Sequence, residues 1–176
     1  MRTTLLLAGL LLTGTAFADH NQHSGYDSHA SGSLITVALN GLACSTSAGG
    51  STFDVRSWSW GASSSVTISG SGAGVGKATA NALSIRKALD ACSSVLLGAV
   101  TTGRHFASLA LTDTDDDGNV VALLTLSDVF VTSWTVGSSL RDASPDESVS
   151  FVFRKVCLST DGATQLCYDA ATNSTT

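Results

Sequence analysis

Phe53-Asp54-Val55-Arg56-Ser57-Trp58-Ser59-Trp60 interleaves large apolar residues with polar ones. Side chains alternate across a β-strand with a period of two, so the stretch reads as a strand with Phe53 and Val55 on one face and the Trp pair in a different environment. The same text continues on both sides. Leu34 to Leu39 is a short β-prone run closed by Asn40-Gly41, and Ser63 to Ser71 is rich in Ser, Thr and Val. From Lys77 to Lys87, Ala78, Ala80, Ala82 and Ser84 alternate with Thr79, Asn81, Leu83 and Ile85. Further strands are predicted over His105–Thr112, Val120–Leu126, Val129–Val136 and Ser148–Val156, the last with Val149, Phe151 and Phe153 on one face.

One segment breaks the pattern. Asp90 to Thr102 sets Leu96, Leu97, Ala99 and Val100 on a helical stripe, with Asp90 or Ser93 able to cap its start and Gly103 to end it. Many short strands, glycine-rich turns and one helix indicate an all-β barrel or sandwich of two sheets with a flanking helix.

Composition narrows the function. The 176 residues carry 9 Lys and Arg against 14 Asp and Glu, a net charge of −5, and only 13% are charged. The apolar content excludes a disordered chain, and the absence of a basic cluster argues against a nucleic-acid partner. Met1-Arg2, a Leu-rich run to Gly14 and Ala16-Phe17-Ala18 have the order of a signal peptide, so residues 1–18 are expected to be cleaved and the chain exported to the periplasm or beyond. That run is too short to span a membrane. Residues 19–33, with His20, His23 and His29, read as a flexible polar leader to a domain over 34–173.

Export suits the four cysteines, an even number for an oxidising compartment. Four cysteines allow three connectivities. Cys157 and Cys167 flank Asp161-Gly162 symmetrically about Gly162, and a hairpin would set them opposite each other. This favours Cys157–Cys167 and, by elimination, Cys44–Cys92.

Three stretches invite chemistry. Gly70 to Ala78 resembles a phosphate loop but has Ser71 where Gly is needed and Ala78 where a hydroxyl must hold magnesium, so it reads as a glycine loop between strands. Asp113, Asp115 and Asp117, followed by Gly118, open like a calcium loop, yet the twelfth position is Leu124 instead of Glu; the plainer reading is an acidic hairpin turn. His105 is the sole His beyond the leader and has no nucleophile elbow to serve. Trp58 and Trp60 suit a core or interface better than a sugar site.

Taken together, Ser57-Trp58-Ser59-Trp60-Gly61, Gly72-Ala73-Gly74-Val75-Gly76-Lys77, Asp90-Ala91-Cys92-Ser93 and Thr102-Gly103-Arg104-His105 resemble, in order, motifs of the Hcp family. These are the haemolysin-coregulated tube proteins of type VI secretion. Leu126 to Ser133, Glu147 to Val156 and Tyr168 to Asn173 extend the likeness over Leu34 to Asn173. The resemblance implies a compact β-barrel with a flanking helix and six copies closing into a ring that stacks into a tube. It also implies effector proteins and a spike protein as partners, no cofactor, no metal and no enzymatic turnover. On that reading Trp58, Trp60 and Gly61 serve barrel packing, while Gly72, Gly74, Gly76 and Lys77 form a contact loop. The leader and the cysteines depart from the family pattern. The competing reading is a monomeric secreted β-sandwich binding calcium through Asp113–Asn119; a third is an enzyme using His105.

Overall fold

The computed structural model describes residues 32–44, 50–69, 72–139, 144–161 and 163–176. The expected signal peptide, nearly all of the 19–33 leader and the Gly70-Ser71 start of the glycine stretch lie outside the described residues.

A closed barrel forms the body. β1 (Leu34–Leu39) pairs antiparallel with β2 (Thr52–Val55) on one side and with β7 (His105–Thr114) on the other. β7 pairs with β8 (Val120–Gly137), β8 with β9 (Asp146–Val152), β9 with β6 (Leu83–Ala88), and β6 with β3 (Ser57–Ser59). The ring closes at Arg56. There the chain leaves β1, donates the Arg56 N–H to the Arg86 carbonyl at 2.7 Å, and continues as β3 on the other edge. Arg56 and Arg86 both pair with Asp146 at the start of β9, which pins this corner. Closure removes the sheet edges that would otherwise invite foreign strands.

The interior follows from the alternation in sequence. Phe53 and Val55 point inward from β2, Val37 and Leu39 from β1, Leu109 and Leu111 from β7, Leu124 and Leu126 from β8, and Val149 and Phe151 from β9, all buried. Burial of each such side chain contributes about 1.5–3 kcal/mol.

β8 is longer than the sequence reading allowed. The runs Val120–Leu126 and Val129–Val136 form one strand of 18 residues, because Asp128 takes a left-handed conformation (φ 55°) instead of ending it. At that bend β8 changes partner: Ser127 faces Lys155 of β10 (Lys155–Thr160), while Phe130 faces Val152 of β9. The expected strand over Ser148–Val156 is correspondingly two, β9 and β10, interrupted at Phe153-Arg154. β11 (Leu166–Asp169) and β12 (Ser174–Thr175) extend the sheet beyond β10.

The helix α1 (Ser93–Thr102) packs Leu96 and Ala99 onto the barrel. Gly103 ends it at φ 64°, a conformation glycine takes without a Cβ penalty. Its start differs from expectation, since Cys92 is the N-cap and no side chain caps the helix. The Asp90 carboxylate is taken by the Cys92 N–H at 2.8 Å, and the Ser93 hydroxyl turns back to the Asp90 N–H at 2.9 Å.

Candidate functional site

The glycine stretch does not form a loop. β4 (Ala62–Ser69) and β5 (Gly72–Ala80) pair with each other in a separate two-stranded sheet. Gly72, Gly74, Gly76 and Lys77 therefore lie in a strand, a correction to the loop reading. Ser, Thr and Ala at most of the alternating positions are compatible with an extended ribbon exposed on both faces. Val66 (55% exposed) and Ile68 (83% exposed) stand on it uncovered. Pairing slips between Ser64 and Val66, so Gly76 and Lys77 together oppose Ser65. A side chain at Gly76 would collide with the Ser65 hydroxyl and come within 3.2 Å of its carbonyl oxygen. Glycine fits there because the bulge brings the two strands close; a Cβ would need the Ser65 hydroxyl to swing away and its carbonyl to give slightly.

At the base of this hairpin, Asn81 donates its N–H to the Gly61 carbonyl at 2.9 Å. The C-terminal strands hold it from the side. Tyr168 donates its hydroxyl to the Ala78 carbonyl at 2.8 Å, and the Ala78 N–H donates to Asn173 Oδ1 at 3.1 Å. Tyr168 and Asn173 are themselves 3.1 Å apart. Both outward-facing backbone groups of Ala78 are thus satisfied by side chains of the terminal segment. Asp169 anchors the turn between Tyr168 and Asn173. Burial pushes its carboxyl up, but the N–H groups of Thr172 and Ala171 and the Arg154 guanidinium outweigh this and hold it below the ordinary value.

The structure contains the Cys44–Cys92 and Cys157–Cys167 disulfides, leaving no free cysteine. The second links directly opposed residues of β10 and β11. The first ties the segment after β1 to the start of α1 through the fully buried Cys92.

Trp58 and Trp60 are half-buried against the core. Trp58 Nε1 donates to Asp113 Oδ2 at 2.8 Å, and Trp60 lies tilted on Phe153 with centroids 6.4 Å apart. The Trp58 bond takes one oxygen of the first carboxylate in the calcium candidate. Asp113 sits in β7 facing Trp58, and Asp115 is taken by its own turn: the Asn119 N–H lies at 2.8 Å, the Asn119 amide at 3.1 Å and the Asp117 N–H at 3.0 Å. These bonds, the Asn119 side chain foremost, hold the Asp115 carboxyl below its ordinary value. Among the described residues no three His, Cys, Asp or Glu side chains gather as a metal site. The motif is an acidic turn with Gly118 at φ 83°. His105 is exposed beside Asp128, Nε2 to Oδ1 3.3 Å, with no nucleophile hydrogen-bonded to it among the described contacts.

Sequence reasoning missed one cluster. Lys87 Nζ lies 2.8 Å from Glu147 Oε1, 2.7 Å from Asp90 Oδ1 and 2.8 Å from the Ala88 carbonyl. Trp134 Nε1 donates to the other Glu147 oxygen at 2.8 Å. A lone Lys in a strand and a Glu 60 residues later carry no local signal; only the β6–β9 register, Lys87 opposite Glu147, brings them together.

Residues 41–159, more than half of the chain, match the family described as type VI secretion system effector, Hcp. No curated protein matches the sequence significantly. Among solved structures, a type six secretion system protein superposes with a TM-score of 0.71 at 20% identity, covering 81% of this chain and 99% of that one. Hcp1 from Salmonella typhimurium gives 0.69 at 20% identity, covering 82% and 99%. A type VI secretion system effector from Yersinia pestis gives 0.61 at 18% identity, covering 77% and 98%. At these identities the structural likeness establishes the fold, and the family match over 41–159 establishes the lineage: the chain belongs to the Hcp family and has the fold of a type VI secretion tube protein.

Proposed function

We propose that this protein is an architectural subunit: six copies close into a ring, and rings stack into a tube that accommodates effector proteins and meets a spike protein. The observation that carries the reading is the β4–β5 hairpin. It is paired with no other strand among the described residues and bears uncovered Val66 and Ile68, while the strands of the body are closed into a barrel. A ribbon whose β4 edge has no partner strand among the described residues is a ready partner for a neighbouring copy. A head-to-tail contact whose rotation closes gives a ring. Trp58, Trp60 and Gly61 serve the barrel wall at the foot of the hairpin, and Gly72, Gly74, Gly76 and Lys77 serve the contact strand. The role is construction and needs no cofactor.

The protein works outside the cytoplasm. Residues 1–18 act as the signal peptide, 19–33 as a polar leader and 34–173 as the assembling domain. Two disulfides with no free cysteine support this, because such bridges persist in oxidising compartments. No helix among the described residues is long and apolar enough to cross a membrane.

Light scattering and electron microscopy of the purified protein test the proposal. A mass about six times that of the monomer, with annular particles, is expected from a closed ring. A monomer persisting at high concentration across salt conditions would overturn it.

A further inference from the structure

We propose that the Cys157–Cys167 disulfide is a redox latch that fixes the hairpin to the barrel through Tyr168 and Asn173. The segment that holds the hairpin is short and is itself held mainly by β10: four opposed residue pairs, the Ala170 N–H on the Arg154 carbonyl at 2.9 Å and the Arg154–Asp169 ion pair at 3.2 Å. β11 has four residues and β12 two, and among the described residues β12 pairs only with β11. Leu166 is 62% exposed, and Tyr168 is the one large side chain of this segment packed against the core. Short edge strands with few buried contacts open locally far below the cost of global unfolding. The bridge sits between β10, which is anchored to β8, and β11, one residue before Tyr168. It closes the segment at the point from which Tyr168 and Asn173 reach Ala78.

The two disulfides differ in access. Cys92 is fully buried and Cys44, partly buried, packs against the core, whereas Cys157 and Cys167 are both partly buried and lie outside that cluster. A small dithiol reductant therefore reaches the β10–β11 bridge first. Its thiolate attacks one sulfur, and the mixed disulfide resolves as the reductant cyclises. The protein gains two electrons and two protons as two thiols, and the reductant becomes a cyclic disulfide. With the bridge open, β11 and β12 keep their ladder to β10 and the Arg154–Asp169 pair but open more often; each opening takes Asn173 and Tyr168 from the Ala78 N–H and carbonyl and loosens the hairpin.

The consequence for assembly rests on the tube reading above: a hairpin held in one pose docks on a neighbouring copy at lower ordering cost than a loose one. After export, exchange with a disulfide oxidant, which takes the two electrons and two protons of Cys157 and Cys167 and leaves as a dithiol, would then switch on ring formation, and the chain would stay unassembled in a reducing compartment.

The experiment is amide hydrogen exchange on the purified protein, oxidised and after mild dithiothreitol, with thiol labelling to verify that Cys157 and Cys167 have opened while Cys44 and Cys92 have not. Exchange at Ala78 is expected to quicken about tenfold or more on reduction, with Leu109 in the barrel unchanged. The double variant Cys157→Ser/Cys167→Ser should reproduce this without reductant. Asn173→Gly, which keeps the bridge and tolerates the φ of 54°, should quicken Ala78 exchange in the oxidised state. Unchanged Ala78 exchange with the bridge verified open overturns the latch. So does an equal loss of protection at Leu109, which would make the bridge a staple of the whole fold. Ring content, followed by light scattering on the same samples, should fall on reduction; equal ring content in both states overturns the link to assembly. Absence of rings in both states, with Ala78 responding, removes the tube reading and leaves the latch standing.

Discussion

Lys87 and Glu147 face each other across β6 and β9 with Nζ and Oε1 2.8 Å apart, and neither side chain is reached by solvent. Lys87 makes three polar contacts, to Glu147, Asp90 and the Ala88 carbonyl, which matches the three donors of an ammonium. The second Glu147 oxygen is taken by Trp134. A buried pair is costly to break, since removing one partner strands the other charge. Lys87→Met should destabilise the fold by about 3–5 kcal/mol in urea unfolding. Lys87→Met combined with Glu147→Leu should recover most of that loss. Equal instability of the single and double variants would show that packing, not the stranded carboxylate, sets the cost.

The two disulfides should differ in their effect on global stability. Cys44 and Cys92 are 48 residues apart in sequence, Cys157 and Cys167 only 10. Loop-closure entropy gives about 4 kcal/mol for the first and about 3 kcal/mol for the second. The latter is smaller still if its segment is already open in the native ensemble. Thermal unfolding of Cys44→Ala/Cys92→Ala and Cys157→Ala/Cys167→Ala should therefore rank the first pair as the more damaging.

The acidic turn makes a pH-dependent contribution of definite sign. Asp115 is held below its ordinary value of 3.8 by the Asn119 side chain and then by backbone N–H groups. A carboxylate with a depressed folded value stabilises the native state above 3.8, and that contribution is lost as pH falls from 3.8 through the depressed value. In an NMR titration Asn119→Ala should bring the Asp115 midpoint back up toward 3.8. Because Asp113 faces Trp58 and Asp115 is satisfied by its own turn, added calcium should leave the melting temperature unchanged; a calcium-dependent rise would restore the binding-module reading.

Gly76 separates hairpin from barrel. Gly76→Val should distort the bulge opposite Ser65 and weaken ring assembly, while thermal unfolding of the barrel stays close to that of the parent protein. A large drop in melting temperature would instead place the hairpin within the cooperative core.

Much of the barrel is legible in the sequence because its strands alternate locally. Phe53 and Val55, or Val149 and Phe151, reveal their inward face to a period-two reading with no tertiary information. The Cys157–Cys167 pair is legible for a similar reason, since both residues belong to one hairpin. Partners distant in sequence were not. Trp58 with Asp113, Lys87 with Glu147 and Ala78 with Asn173 are each set by how strands are ordered around the barrel. The acidic stretch shows the same limit: spacing alone sets three carboxylates side by side, whereas in the fold one oxygen of Asp113 accepts from Trp58 of another strand and Asp115 is bonded within its own turn. The glycine stretch misled because glycine suggests turns by default, whereas here Gly76 serves a close approach between two strands.

Asp128 bends β8 without cutting it, so one covalent backbone runs from the β10 side of the molecule to the β9 side. A load applied to either half of the wall passes along that backbone and is shared by the hydrogen bonds on both flanks. For a subunit of the proposed ring, this would give a rigid tile whose compliance is confined to what hangs from it.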